Sequence, residues 1–232
     1  MRDQYDCLVI GGGPAGCTAA ALVAEAGYST ALVEREQVPR FHVGESLMPE
    51  TYWTLNRLGV LDQMDGFVEK HSVQFVTNKG TESVPFYFED HDDRDCSKTW
   101  QVERAKFDKM LFDNAADRGA SCFDQTRVLD VKFEGQRATG VRVQTADGDS
   151  IDVGTKVIID ATGQQALIAN KLGIRDTIPE LKKAAIWAYF KNAERPAGRD
   201  GGATVILHTK TKEAWFWYIP SPGVGRVLSK KL

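Results

Sequence analysis

The segment YDCLVIGGGPAGCTAAALVAEAGYSTALVE, residues 5–34, decides the fold of this chain. Residues 5–10 are apolar and rich in strand formers, and a run of glycines follows them. Residues 14–26 are dominated by alanine and predict a helix that ends at Gly27, and residues 28–34 predict a second short strand. This succession predicts a β–α–β unit of about 30 residues, the size that such a unit requires. It indicates an α/β protein with a Rossmann-like domain.

The glycine loop between the first strand and the helix has the GxGxxG spacing of a dinucleotide-binding motif. Gly11 permits the tight turn, Gly13 lets the backbone approach a pyrophosphate, and Gly16 lets the helix pack closely on the strand. The helix N-terminus adds unpaired N–H groups and a partial positive charge. Glu34 ends the second strand, where a carboxylate can accept hydrogen bonds from a ribose diol. The predicted cofactor contacts of the loop are Gly11, Gly13, Pro14, Ala15 and Gly16.

The rest of the chain reads as two more helices followed by a long series of strands. Hydrophobic periodicity predicts helices over 47–61 and 104–118. The turn at 78–80 predicts a hairpin from strands within 73–88. The remaining predicted strands are 127–133, 138–145, 151–160, 184–193, 204–209 and 214–219.

Composition and charge exclude several classes of function. The 232 residues include 29 basic and 32 acidic residues, and the scattered basic residues argue against a nucleic-acid-binding surface. The four cysteines lack CxxC and metal-ligand spacing, so we expect reduced thiols and no metal site. The apolar N-terminal stretch is broken by glycines, unlike a secretory signal, and no run approaches the roughly 18 apolar residues of a membrane span. We expect a soluble, cytoplasmic protein.

A second motif, WFWYIP, occupies residues 215–220 near the C-terminal end. It matches the pattern WxWxIP, and with it the chain resembles the flavin-dependent halogenases. This tryptophan-halogenase-like family lies within the superfamily of FAD-dependent monooxygenases and geranylgeranyl reductases. The resemblance implies a Rossmann-like FAD-binding domain of the glutathione-reductase and aromatic-hydroxylase type over 1–175, with an inserted hairpin at 73–88. It also implies a β-rich substrate domain over 176–232, which is incomplete.

Several other segments are similar to flavin-contacting motifs of the same superfamily. The loop GGGPAG followed by Glu34 resembles the FAD loop of glutathione-reductase-like flavoproteins, which favours FAD over NAD. RFHVGES at 40–46 resembles the GES segment, WQVER at 100–104 resembles VxRxxFD, and DATG at 160–163 resembles the DASG turn that ends a strand near the flavin. The residues that these resemblances imply in cofactor binding are Arg40, Gly44, Glu45, Ser46, Arg104, Asp160 and Gly163.

Plainer interpretations exist for three of these residues. Ser46 is compatible with the N-cap of a helix, and Asp160 with an ordinary Asx turn at a strand end. Arg104 is compatible with a solvated arginine at a helix start. The sequence leaves these alternatives open.

FVEK, residues 67–70, is similar to the FxxK segment of the halogenases. The resemblance implies that Lys70 is the catalytic lysine, which holds hypohalous acid as a haloamine or by a hydrogen bond. Such a role needs an amine whose charge is suppressed by desolvation, because only the neutral amine is nucleophilic. The alternative is a solvated surface lysine at a strand start. Lys79 is a second candidate, although NKG at 78–80 is better explained as a hairpin tip.

Trp215 and Trp217 are two residues apart in a predicted strand, so their side chains face the same side of the sheet. The resemblance implies that they lie between the flavin and the substrate. The alternative is a pair of core tryptophans on the buried face of an antiparallel sheet.

The resemblance implies an FAD-dependent enzyme that uses externally reduced FAD, oxygen and chloride or bromide to halogenate an aromatic small molecule, free or carrier-bound. A separate flavin reductase is expected, because the sequence has no second GxGxxG and has QQA at 164–166 in place of the motif of NADPH-binding hydroxylases. Two alternatives are a geranylgeranyl-reductase-like enzyme acting on isoprenoid double bonds and an inactive remnant. The second alternative arises because residues 221–232 turn basic and lose the alternating pattern, which predicts a C-terminally truncated chain.

Overall fold

The computed structural model describes residues 1–179, 184–211, 213–221 and 224–231, the last range by its backbone alone. The strands are β1 (Gln4–Ile10), β2 (Thr30–Val33), β3 (Val68–Lys70), β4 (Ser72–Val76), β5 (Phe86–Tyr87), β6 (Thr99–Gln101), β7 (Ser121–Phe123), β8 (Arg127–Glu134), β9 (Arg137–Gln144), β10 (Ser150–Asp160), β11 (Ala184–Phe190), β12 (Thr204–His208), β13 (Trp215–Ser221) and β14 (Val224–Lys231). The α-helices are α1 (Pro14–Glu25), α2 (Thr51–Arg57), α3 (Arg104–Asp117) and α4 (Leu167–Lys171). None of the helices in the described part of the chain combines the length and hydropathy needed to cross a bilayer.

The first of two compact units joins Met1–His42 with Arg104–Asp176 and is built on a six-stranded sheet. The strand order is β7-β2-β1-β10-β9-β8. β1 pairs in parallel with β2 and β10, and β2 pairs in parallel with β7, whereas β9 joins β10 and β8 in antiparallel fashion. α1 connects β1 to β2, which confirms the predicted β–α–β unit and the Rossmann-like fold.

Burial explains why the central strands of this unit are apolar. β1 and β2 have parallel neighbours, and Leu8 and Leu32 are fully buried, as in sheets that are covered on both faces. α1 buries the small residues Gly16 and Ala20, which lets the helix lie close to its neighbours. After the helix, Gly27 adopts a φ of +89°, a left-handed conformation that glycine reaches without steric cost.

The second unit joins Val43–Glu103 with Thr177–Leu232 and contains two sheets. The larger sheet has the order β11-β14-β13-β12-β4-β5, and β3 pairs with β6 in the smaller one. β4 runs parallel to β12, and the other neighbouring strands are antiparallel. The sequence therefore anticipated a β-rich second region.

The division into units differs from the predicted domain boundaries at residues 43–103. The sequence patterns assign these residues to the FAD-binding domain, with the hairpin 73–88 as an insertion. In the structure β4 pairs with Thr204–Leu207 of β12. Gln101 Nε2 also donates a hydrogen bond to the carbonyl oxygen of Gly202, 101 residues away, at 3.0 Å. Such pairings between distant segments leave no local signal in the sequence.

Several local predictions differ from the structure. The helix predicted over 47–61 shrinks to α2, whose N-cap is Glu50, so the prediction of Ser46 as an N-cap is wrong. Pro49 accounts for the late start, because the residue before a proline is disfavoured in the helical region. β14 forms a strand between β11 and β13 although the sequence there loses its alternation. The short strands β3, β6 and β7 and the short helix α4 were not predicted.

Candidate functional site

A cavity of about 500 Å³ lies in the first unit at the carboxyl end of β1. Because β1, β2 and β10 are parallel, the loops that follow them meet at one edge of the sheet. Ligands of open α/β sheets bind at this edge, and the volume is typical of small-molecule sites. The predicted cofactor-binding residues that line the cavity are Gly11, Gly13, Pro14, Ala15, Glu34, Arg40, Arg104 and Gly163.

The three motif glycines meet different surroundings. A Cβ at Gly11 would lie 2.6 Å from the carbonyl oxygen of Ala161, and one at Gly16 would lie 1.8 Å from the carbonyl oxygen of Gly11. Both positions therefore require glycine for packing within the protein. A Cβ at Gly13 would meet nothing closer than Arg40 Nη2 at 3.8 Å. The space in front of Gly13 is therefore open to a ligand.

Glu34 is buried, and the protein itself already holds its carboxylate. Oε2 accepts a hydrogen bond from the N–H of Gly12 at 2.8 Å, and Oε1 accepts one from the N–H of Glu36 at 3.0 Å. Arg40 Nη2 lies 3.4 Å from Oε2. A carboxylate offers about four acceptor positions, so one remains for a ribose hydroxyl. The pattern GxGxxG leaves Gly12 unspecified, which is why the sequence did not point to it.

Asp108 joins two arginines in the wall of the cavity. Its carboxylate accepts hydrogen bonds from Arg40 Nη1 at 2.6 Å and from Arg104 Nε at 2.7 Å. The side chain of Arg104 is only 10% exposed, so it is not a solvated arginine at the helix start. Burial and the two neighbouring guanidinium groups lower the pKa of His42, which also lines the cavity. Arginines held in this way suit the recognition of phosphate oxygens.

Asp108 was missed by the sequence analysis, although two signals pointed to it. It lies four residues after Arg104 in α3, the spacing at which helical side chains meet. It is also the final Asp of the segment that resembles VxRxxFD. A buried carboxylate in such a motif is therefore a candidate for orienting the arginine.

The carboxylate of Asp160 forms hydrogen bonds with nearby residues of the same segment, and Asp160 does not line the cavity. Oδ1 accepts hydrogen bonds from the N–H and the hydroxyl of Thr162 at 3.1 and 2.6 Å, and Oδ2 accepts one from the N–H of Ile168 at 2.7 Å. These bonds form an Asx-type turn, the plainer of the two interpretations of this residue. The cavity wall contains the neighbouring Gly163 instead.

Lys70 ends β3 in the second unit, and the residue is 3% exposed. Nζ donates hydrogen bonds to Ser46 Oγ at 2.9 Å and to the carbonyl oxygen of Leu47 at 3.0 Å. It also lies 5.4 Å from the centroid of the Phe88 ring. All three partners are uncharged, and no carboxylate among the described residues forms an ion pair with this amine. The alternative of a solvated surface lysine is excluded by this burial.

Burial lowers the pKa of Lys70 to about 8. A neutral amine is therefore present in a substantial fraction of molecules near pH 8. Close packing on the backbone of β3 maintains the burial, since a Cβ at Gly202 would lie 1.7 Å from the carbonyl oxygen of Glu69. Only glycine permits the turn Gly198–Gly202 to lie against the strand that carries Lys70.

Gly44, Glu45 and Ser46 lie in one loop of the second unit. The carboxylate of Glu45 is buried and accepts hydrogen bonds from the N–H of Gly44 at 2.9 Å and from the hydroxyl of Tyr189 at 3.4 Å. Ser46 forms a β-bridge with Gln101, and its hydroxyl contacts the Lys70 amine. The structure thus brings together the GES segment and Lys70, two features that the sequence identified separately.

Trp215 and Trp217 lie on the same face of β13, as the alternation predicts, with ring centroids 6.2 Å apart. The register pairs Trp217 with Ile206 of β12, and Ile206 with Phe75 of β4. Trp217 and Phe75 are 40% and 42% exposed. The alternative of two core tryptophans therefore does not describe Trp217.

A group of possible metal ligands also lies in the second unit. Glu50, Asp92 and Cys96 bring one ligand atom each within 4.8 Å of one another. Arg94 Nη2 pairs with both carboxylates, at 2.7 and 2.6 Å. A cation would have to displace this guanidinium, so the group is an ion-pair network.

Comparison with known proteins finds relatives along nearly the whole chain. The FAD binding domain family matches residues 4–223. The 1H-pyrrole-2-carbonyl-(peptidyl-carrier protein) chlorinase of Pseudomonas fluorescens is 32% identical, over 95% of this chain and 54% of the relative. The corresponding brominase of Pseudoalteromonas luteoviolacea is 32% identical, over 99% of this chain and 56% of the relative. Among solved structures, the myxobacterial chondrochloren halogenase CndH has a TM-score of 0.90 and 34% identity, over 98% of this chain and 52% of that one. The chain spans about half the length of the curated relatives it matches.

Proposed function

The chain belongs to the FAD binding domain family, its relatives include flavin-dependent halogenases, and from this premise we propose that it acts in the halogenation of an aromatic small molecule. The observation that carries the proposal is the Lys70 amine. It is buried without a carboxylate partner among the described residues, in the segment that resembles the lysine motif of the halogenases. Structural lysines that are this buried almost always have a charged partner.

The cavity of the first unit is proposed to hold part of FAD. Open space in front of Gly13 and the N-terminus of α1 suits the pyrophosphate, and the remaining acceptor position of Glu34 suits a ribose hydroxyl. Arg40 and Arg104, held by Asp108, suit the phosphate oxygens. When bound and reduced, FAD supplies the activation of oxygen and the oxidation of halide. The protein supplies the binding groups and the reactive amine.

Lys70 is proposed to receive the oxidised halogen from hypohalous acid. In the covalent route, the neutral amine forms an N–Cl bond while the O–Cl bond breaks, and the hydroxide takes an amine proton and leaves as water. In the hydrogen-bonded route, the protonated amine donates to the hypohalous acid. The lowered pKa of Lys70 supplies both forms near pH 8. Burial keeps bulk water away from the amine.

The substrate is proposed to be an aromatic small molecule, free or attached to a carrier protein, with chloride or bromide as co-substrate. By their names, the chlorinase and the brominase act on a pyrrole-2-carbonyl group that is bound to a peptidyl-carrier protein, which supports the carrier-bound case. A separate flavin reductase would supply the reduced FAD, because the sequence has one GxGxxG motif. The reductase of isoprenoid double bonds has less support, since the relatives above are halogenases. A cytoplasmic location stays a prediction.

The test supplies the protein with chemically reduced FAD, air and either chloride or bromide. Phenols, indoles and pyrroles are offered, the pyrroles also as thioesters of a carrier protein, and halogenated products are identified by mass spectrometry. The proposal expects product that depends on FAD and halide. An isoprenoid alkene is tested in parallel under anaerobic conditions. Reduction of that alkene, with no halogenation of any aromatic compound, would replace this proposal with the reductase.

A further inference from the structure

The Lys70 amine is the end of a chain of hydrogen bonds that starts on another strand. Gln101 Nε2 donates to Thr204 Oγ1 at 2.9 Å, and Thr204 Oγ1 lies 3.0 Å from Ser46 Oγ. Ser46 Oγ in turn lies 2.9 Å from Lys70 Nζ. Gln101 and Thr204 are nearly fully buried, and β6, β12, β3 and the loop of Ser46 each contribute one member. Four segments that are distant in sequence therefore converge on one amine.

The donor at the far end of this chain is defined, whereas the bond between Thr204 and Ser46 can run in either direction. Gln101 Nε2 also donates to the carbonyl oxygen of Gly202 at 3.0 Å, and a carbonyl can only accept. The amide nitrogen must therefore face Gly202 and Thr204, even though Gln101 Oε1 has no hydrogen-bond partner among the described residues. Because an amide N–H cannot accept, the Thr204 hydroxyl is free to donate onward to Ser46. When Lys70 is protonated, its Nζ donates to Ser46 Oγ. When Lys70 is neutral, the Ser46 hydroxyl can donate to the lone pair on Nζ instead.

A donor chain of this polarity favours the neutral amine. Each hydroxyl that accepts a hydrogen bond becomes a better donor to the next group, so the Ser46 hydroxyl is polarised toward Lys70. The lone pair that can accept this hydrogen bond exists only when Lys70 is uncharged. Given the proposed function, on which this inference rests, we propose that Thr204 and Gln101 are positioning residues that act through Ser46 to present Lys70 as a neutral, oriented nucleophile.

Among the residues that the structure describes, no charged group around Lys70 provides this control. The titratable side chains on the surrounding elements have partners of their own: Glu69 with Lys98 and His71, Glu45 with the N–H of Gly44 and the hydroxyl of Tyr189, Glu89 with Arg199, and Asp200 with Tyr87. The pKa of Lys70 is lowered by burial and not by a neighbouring charge. The uncharged donor chain is therefore the element of the site that can adjust the amine.

The inference is tested by the proton titration of Lys70 in the intact chain. Protein labelled with 13C at lysine Cε is titrated by NMR between pH 6 and 11, and Lys70→Met identifies the Lys70 resonance. Thr204→Val removes the donor with little change in volume and is expected to move the midpoint upward by roughly half to one pH unit, a three- to tenfold gain in proton affinity. Thr204→Ser keeps the hydroxyl and is expected to restore the wild-type midpoint.

A purely structural role of Thr204 predicts a different result. It would lower the stability of the Thr204→Val protein while the Lys70 midpoint stays within about 0.2 pH unit of the wild type, and that result would overturn the inference. If Thr204→Val fails to fold, Gln101→Met removes the donor at the start of the chain, and an upward shift is again required. The titration needs neither FAD nor halide. Failure of halogenation would therefore contradict the proposed function without altering this readout.

Discussion

Replacing Lys70 by Met should change how the stability of the second unit depends on pH. Methionine has a similar length and no charge, so the substitution keeps the packing and removes the titration. The ordinary pKa of a lysine is 10.5, and burial lowers that of Lys70 to about 8 in the folded protein. Between these two pH values the unfolded chain binds a proton that the folded chain does not. The unfolding free energy of the wild type must therefore rise with pH across this window, relative to the variant.

The size of the effect follows from the gap between the two pKa values. One pH unit corresponds to about 1.4 kcal/mol, so the gap between 10.5 and about 8 amounts to about 3 kcal/mol. Below pH 8 the buried amine lowers the unfolding free energy of the wild type by this full amount, and by about pH 10.5 the effect is gone. The difference in unfolding free energy, wild type minus Lys70→Met, should therefore increase by about 3 kcal/mol from pH 7 to pH 10.5.

Urea unfolding followed by tryptophan fluorescence measures this difference in the correct part of the molecule. The five tryptophans of the chain are at positions 53, 100, 187, 215 and 217, all within the second unit. Lys79→Met is the matched control, because this residue lies at an exposed hairpin tip and remains in water in both states. A flat difference for Lys70→Met over the whole pH range would mean that folding does not perturb the amine.

Two further predictions concern the first unit. Gly13→Ala should leave unfolding, followed by circular dichroism, nearly unchanged while weakening FAD binding about tenfold or more in a fluorescence titration, because its Cβ enters open space meant for the ligand. Gly16→Ala should instead lower the unfolding free energy by about 1–3 kcal/mol, since its Cβ would overlap the carbonyl oxygen of Gly11. If both variants had equal effects on FAD binding and on stability, Gly13 would not face the ligand while Gly16 serves packing. Asp108→Asn should lower the unfolding free energy by about 3 kcal/mol, because Arg40 and Arg104 lose their buried charged acceptor. Asp113→Asn, which breaks an exposed pair on the same helix, should cost less than about 1 kcal/mol, and a similar loss for both variants would argue against a special role of Asp108.

The sequence predicted the first unit well because its signals are local. The strand, the glycine loop, the helix and Glu34 lie within 30 consecutive residues, and each position is restricted by sterics that the residue type reveals. The grouping of residues 43–103 with the second unit was not predictable in this way. It depends on β4 pairing with β12, a contact between segments that are far apart in the chain.

The environment of Lys70 shows the same limit at the level of a single side chain. The FVEK segment identified the residue, but its charged neighbours Glu69 and His71 argued equally for a solvated lysine. Burial comes from Ser46, Leu47 and the turn ending at Gly202, which no local pattern connects with position 70. Likewise, the length of β14 follows from two neighbouring strands rather than from its own alternation.

Halogenation by Lys70→Met, measured at an FAD occupancy equal to that of the wild type, tests directly whether this amine transfers the halogen. We expect halogenated product to fall by roughly 100-fold or more, the usual effect of removing a reactive catalytic group. Oxidation of reduced FAD by oxygen should continue, because the cavity residues are untouched. Lys79→Met should halogenate like the wild type. Product formation by Lys70→Met within about threefold of the wild type would show that this buried amine does not transfer the halogen.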